Sequence, residues 1–67
     1  MAFRKLRGAI REKYGTQELF AAAVDMHPST LSAKLSGKTE WTRNEIVQAS
    51  MLLEIPDTEI HAYFFSR

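Results

Sequence analysis

Side chains equipped for chemistry are sparse in this chain. Its 67 residues include two histidines, His27 and His61, and no cysteine. Cysteine nucleophiles, thiolate metal sites and disulfides are therefore excluded, and two histidines alone do not make a metal-ligand spacing. Gly37-Lys38-Thr39 echoes the end of a phosphate-binding loop. That loop needs a glycine five residues earlier, where Ser32 stands, and a strand before it. The echo is accidental. No nucleophile comes with a base, and no acid/base pair stands out. The chain is expected not to be an enzyme, and to need no cofactor, metal or small-molecule substrate. What remains is a run of small polar residues, His27-Pro28-Ser29-Thr30-Leu31-Ser32-Ala33-Lys34-Leu35. Only Leu31 and Leu35 are bulky anchors, one turn apart, so a helix here turns a mostly polar face outward. Such a face binds rather than reacts.

The elements that must hold this face are also helical. Phe3, Leu6, Ile10 and Tyr14 recur at one face of a first helix, which Gly15 ends in the left-handed conformation. Thr16 caps a second helix with Leu19, Phe20, Ala23 and Val24 as its apolar side. Asp25-Met26-His27 breaks the pattern, and Pro28 suits the first position of a third helix because it lacks the amide hydrogen left unpaired there. Thr42 and Glu45 form a capping box before the stripe Ile46, Ala49, Leu52, Leu53. Ile55-Pro56 stops that helix, and Asp57 caps a last short one with Ile60, Tyr63 and Phe64. Period-two alternation is absent, so no strand is expected. With 45% apolar residues and no repeat or linker, residues 1–67 read as a single all-α domain. Its core is too small to enclose a substrate cavity.

The net charge is +1, but it is unevenly spread. Arg4, Lys5, Arg7, Arg11 and Lys13 crowd the first thirteen residues, while Glu54, Asp57 and Glu59 face Arg67 at the other end. That asymmetry suits one anion-facing side, with a solvated face as the plainer alternative. The start lacks the apolar run of a signal peptide, and no stretch approaches the roughly 18 apolar residues of a membrane span. A cytoplasmic protein without membrane contact is expected.

Two helices joined by three residues, the second opening polar, have helix-turn-helix geometry. Ala21 is small where the axes must approach, Asp25 tolerates a positive φ, Met26 turns inward and Leu31 anchors the second helix. Thr16-Gln17-Glu18-Leu19-Phe20-Ala21, His27-Pro28-Ser29-Thr30-Leu31-Ser32 and Leu35-Ser36-Gly37-Lys38-Thr39 resemble the Cro/repressor (XRE-like) class of helix-turn-helix transcriptional regulators. In bacterial and phage members of that class, "P-S-T-L-S" followed by "S-G-K" is a familiar pattern. Ile55-Pro56 and Tyr63-Phe64-Phe65 resemble the small phage-type regulators made of this domain alone.

The resemblance implies a compact five-helix, lambda-repressor-like DNA-binding domain with its helix-turn-helix at about residues 17–35. It implies a Cro-like repressor: a weak homodimer, strengthened on DNA, bound to a near-palindromic operator on double-stranded DNA. Residues 28–35 would enter the major groove, with His27, Pro28, Ser29, Thr30, Ser32, Ala33 and Lys34 toward the bases. Gln17, Ser36, Lys38, Thr39 and Arg43 would hold phosphates. Ile55, Pro56, Phe64 and Phe65 would form the dimer contact. Asp25 and Lys34 depart from the class, whose members commonly place a glycine and a core aliphatic there. Plainer roles stand beside these: His27 as a cap or a solvated residue, Trp41 as a core plug between the third and fourth helices, and one of Phe64 and Phe65 in the core. The reading face has no arginine for guanine and no asparagine or glutamine for adenine. Specificity would then lean on DNA shape and on two paired half-sites. The alternative function is a helical protein-interaction module such as an antirepressor built on the same fold. The near-neutral net charge slightly favours it, while the polar third helix and Ser36-Gly37-Lys38-Thr39 favour DNA.

Overall fold

The computed structural model describes residues 2–65, and Arg67, which carries a charge at the chain's end, lies outside them. Five α-helices follow one another: α1 (Arg4–Tyr14), α2 (Gln17–Ala23), α3 (Pro28–Leu35), α4 (Arg43–Leu53) and α5 (Ile60–Phe64). The described residues contain no strand, and the fold is all-α, as the periodicity requires.

Local chemistry sets where each helix starts. The Thr16 hydroxyl accepts the Leu19 amide at 3.2 Å. Thr42 and Glu45 close the expected capping box, with the Thr42 amide donating to Glu45 Oε1 at 2.8 Å and the Glu45 amide to Thr42 Oγ1 at 3.2 Å. Asp57 does not cap α5. It belongs to a 3-10 turn, Asp57–Glu59, entered from Pro56 without a side-chain cap.

The helix ends share one device. After α2, Asp25 takes φ 56°, and the Met26 amide returns to the Ala21 carbonyl at 2.8 Å. After α3, Gly37 takes φ 85°, and the Lys38 amide returns to Ala33 at 2.9 Å. After α4, Glu54 takes φ 57°, and the Ile55 amide returns to Ser50 at 2.9 Å. These are Schellman closures, which satisfy terminal carbonyls and fold the residue after the left-handed one back against its own helix.

That closure corrects the place given to Ile55. Carried back onto α4, it is 8% exposed and belongs to the core, so it offers little surface for the dimer contact expected of it. Phe64 is buried as well, its ring edge-on to Trp41 with centroids 5.2 Å apart. Phe65, 60% exposed, and the exposed Pro56 keep their outward position. Trp41 does plug the core, but its ring neighbours are Phe3 and Phe64, from the chain's two ends. The rest of the core comes from Leu6 and Ile10 of α1, Phe20 and Ala21 of α2 with Val24 just after it, Leu31 and Leu35 of α3, and Ala49 and Leu53 of α4.

Two sequence expectations shift with the packing. On α2, Phe20, Ala21 and Val24 turn inward, while Leu19 is 58% exposed and Ala23 is exposed. Ala21 must face its neighbours at the close approach, and Leu19 stands about 160° around the helix from it. The charge asymmetry is partly offset by two surface ion pairs. Lys13 pairs with Glu54 at 2.9 Å and Lys5 with Glu59 at 3.6 Å. The basic start and acidic end therefore neutralise each other in part, while Arg4 and Arg11 keep no ion-pair partner among the described residues.

Candidate functional site

The exposed side of α3 begins with a side-chain cap. His27 Nδ1 accepts the Ser29 amide at 3.1 Å and lies 2.7 Å from Ser29 Oγ. With Nδ1 as acceptor from the amide, the Ser29 hydroxyl donates to it and turns its lone pairs outward. The capping role weighed for His27 is thus realised. His27→Ala is expected to lower stability by about 1 kcal/mol. In a thermal melt of a domain this size, that is a fall of about 4–8 °C. An unchanged melting temperature would show that the cap is not made in solution.

Pro28 follows at the first helical position, and Ser29, Thr30 and Ser32 are exposed. Ala33 is half-buried. Lys34 is a correction. Expected toward the bases, it is 6% exposed, because residues 31, 34 and 35 form the inward stripe of α3. Its ammonium lies 2.9 Å from Glu45 Oε1 and donates to the Glu40 carbonyl at 2.9 Å. A buried ammonium already paired and hydrogen-bonded is not available to a base or phosphate. Leu35 shares the anchoring, as expected, but Lys34 takes part in it through its stem.

An open groove of about 860 Å³ runs between α1 and the corner where α2 and α3 begin. Gln17, Pro28, Ser29 and Ser32 of the sequence-predicted set line it. Thr30, Ser36, Lys38, Thr39 and Arg43 do not; they are exposed elsewhere, and the Ser36 hydroxyl donates to the Ala33 carbonyl at 3.0 Å. The groove's opposite wall was missed by sequence reasoning. It carries Arg7 and Arg11, one turn apart on α1. Their spacing was legible, but nothing in the sequence says which neighbour that face of α1 meets.

Arg7 fixes the groove's shape. Its Nε donates to the Ala2 carbonyl at 2.9 Å and its Nη2 to the Leu35 carbonyl at 2.7 Å. A guanidinium on the last carbonyl of α3 helps complete a helix end and suits its negative pole. Arg11 is exposed and has no ion-pair partner among the described residues. Electrostatically the groove is mild: hydroxyls, a primary amide and one open guanidinium, with the Glu18 carboxylate among its lining. Among the described residues, no cluster of three or more histidines and carboxylates could hold a metal ion, and no helix is long and apolar enough to cross a membrane.

Comparison with known proteins gives a consistent picture of the fold. The structure is similar to the solution structure of the modulator of repression (MOR) of the temperate bacteriophage TP901-1 from Lactococcus lactis, with a TM-score of 0.84 and 41% sequence identity. The match covers 94% of this chain and 85% of that one. No curated protein matches the chain. Residues 1–67 match throughout the model of the family described as protein of unknown function DUF739, and the chain belongs to that family.

Proposed function

We propose that this protein is a small phage-type regulator that modulates repression by binding another protein of the repression circuit through the exposed face of α3. The observation that carries this reading is the chemistry of that face. With Lys34 drawn into the core, α3 presents no cation, asparagine or glutamine outward. The bidentate contacts that discriminate bases most strongly use those side chains, and α3 keeps only hydroxyls and small apolar groups for such readout, groups that equally suit a protein surface. The net charge of +1 and the internal pairing of Lys5 and Lys13 give little of the field that drives binding to DNA. The similar phage protein is a modulator of repression, which supports a role beside a repressor.

A second reading stays in view because the α2–α3 corner has helix-turn-helix form, with Asp25 in the left-handed turn position. On that reading the chain is a Cro-like repressor that occupies an operator as a homodimer. Gln17, Ser36, Lys38, Thr39 and Arg43 would hold phosphates, and only Pro56 and Phe65 of the four residues offered for dimer contact would be outward.

An operator-binding assay separates the two. The chain is added to the repressor of its circuit already bound to labelled operator DNA, and also to the operator alone. The expected result is a changed repressor–operator affinity with no retention of DNA by the chain alone. Ser32→Arg, which places a bulky charge at the middle of the face, should weaken the effect about tenfold or more. A specific shift of the operator by the chain alone would favour the Cro-like reading.

A further inference from the structure

We infer that the groove between α1 and the α2–α3 corner seats an acidic segment of the partner protein, with Arg11 as its anchor and Gly8 as the gap that admits it. This rests on the protein-partner reading above and gives that partner its chemistry. Gly8 lies inside α1, where glycine is a poor helix former. Nothing stands within 4 Å of the position its Cβ would take. No neighbour in the fold therefore requires the missing side chain, yet the residue lines the groove. A bare backbone there lets a second chain approach α1 closely.

The charges select what approaches. Arg7 is committed to two carbonyls, while Arg11, on the same wall, has no ion-pair partner among the described residues. A guanidinium fork matches a carboxylate in a bidentate, charge-assisted pair. Ser32 and the Gln17 amide face the same groove and can donate to the segment's carbonyls, and the exposed Pro28 ring supplies apolar surface beside them. One open arginine beside apolar surface, with Glu18 on the rim, fits a carboxylate next to an apolar side chain better than a row of phosphates.

The test is an amide NMR titration of the intact chain with a short synthetic peptide of alternating glutamate and leucine. Its glutamine counterpart and a random-sequence DNA duplex are titrated alongside. The acidic peptide should shift the amides of Gly8, Arg11, Gly15 and Ser32, and the glutamine peptide should bind about tenfold or more weakly. Gly8→Leu should raise the melting temperature by about 4 °C or more, because leucine is the better helix former. The same variant should weaken the acidic peptide about tenfold or more, a loss that unfolding cannot explain. Arg11→Gln should weaken it comparably, and Lys38→Ala should leave it unchanged. Equal binding of both peptides, or undiminished binding to Gly8→Leu, overturns the assignment. If the duplex rather than the peptide shifts the groove amides, the protein-partner reading falls with it. If neither shifts them while the operator assay still reports action on the repressor, the groove assignment alone falls.

Discussion

Glu45→Ala is expected to remove about 3 kcal/mol of stability, because one carboxylate serves two neighbours. It accepts the Thr42 amide that opens α4, at 2.8 Å, and it neutralises the Lys34 ammonium from α3, at 2.9 Å. Without it, the Lys34 side chain, 8% exposed, keeps only the Glu40 carbonyl. A domain of this size holds roughly 3–5 kcal/mol in total, so much of the folded population is lost. A melting temperature lowered by about 12–24 °C is the expected reading. Lys34→Met should behave differently. It removes the charge but keeps the stem, and Glu45 retains its Thr42 amide, so the cost should stay within about 1 kcal/mol or reverse sign. A Glu45→Ala protein as stable as the parent would show that the ion pair does not hold α3 to α4.

The same pair sets a pH dependence. Partial burial pushes the Glu45 carboxyl up, but the Thr42 amide and the Lys34 ammonium outweigh it and hold the group below the ordinary carboxylate range. The unfolded chain therefore takes up this proton first as the solution is acidified. The stabilisation is complete above the ordinary glutamate pKa and is lost as pH falls through the lower, folded-state value. Lys34→Met should flatten the acid limb of a stability–pH curve.

Ile55→Lys is expected to unfold the chain rather than to separate a dimer. The site is 8% exposed and lies among core residues, and a buried unpaired ammonium costs several kcal/mol. Helical circular dichroism should collapse at neutral pH. Phe65→Ser, at a position 60% exposed, should leave the melt within about 0.5 kcal/mol of the parent. Any self-association is then read from Phe65 and Pro56, by sedimentation of the folded Phe65→Ser variant. A folded Ile55→Lys protein with a normal melt would return Ile55 to the surface.

The contrast between Met26 and Ile55 shows what was legible in the sequence. Both follow a left-handed residue in a Schellman closure and both fold back toward their helix. The inward turn of Met26 was expected because the helix-turn-helix pattern demands it. Nothing local marks Glu54 as left-handed, since glutamate has no special ease at positive φ, so Ile55 read as a loop residue. Helix starts were readable because caps are local chemistry: Thr16, Pro28 and the Thr42–Glu45 box all act within four residues. Lys34 was misplaced because residue type argued for solvent while helical register argued for core, and only a carboxylate from another helix resolves that conflict. Arg7 and Arg11 were missed for a related reason. Their function as a groove wall depends on which surface α1 turns toward α3, and that is a tertiary fact.

The central claim is that α3 meets protein rather than base pairs, and titration of the intact chain into labelled random-sequence duplex at low salt tests it most directly. A protein making several phosphate contacts binds such DNA with Kd of about 1–100 µM even at physiological salt, and its log affinity falls by nearly one unit of slope per contact. The account predicts binding weaker than about 100 µM at low salt, with a shallow slope that Lys38→Ala does not change. Micromolar or tighter binding, with a slope of several units that drops by about one in Lys38→Ala, would contradict it.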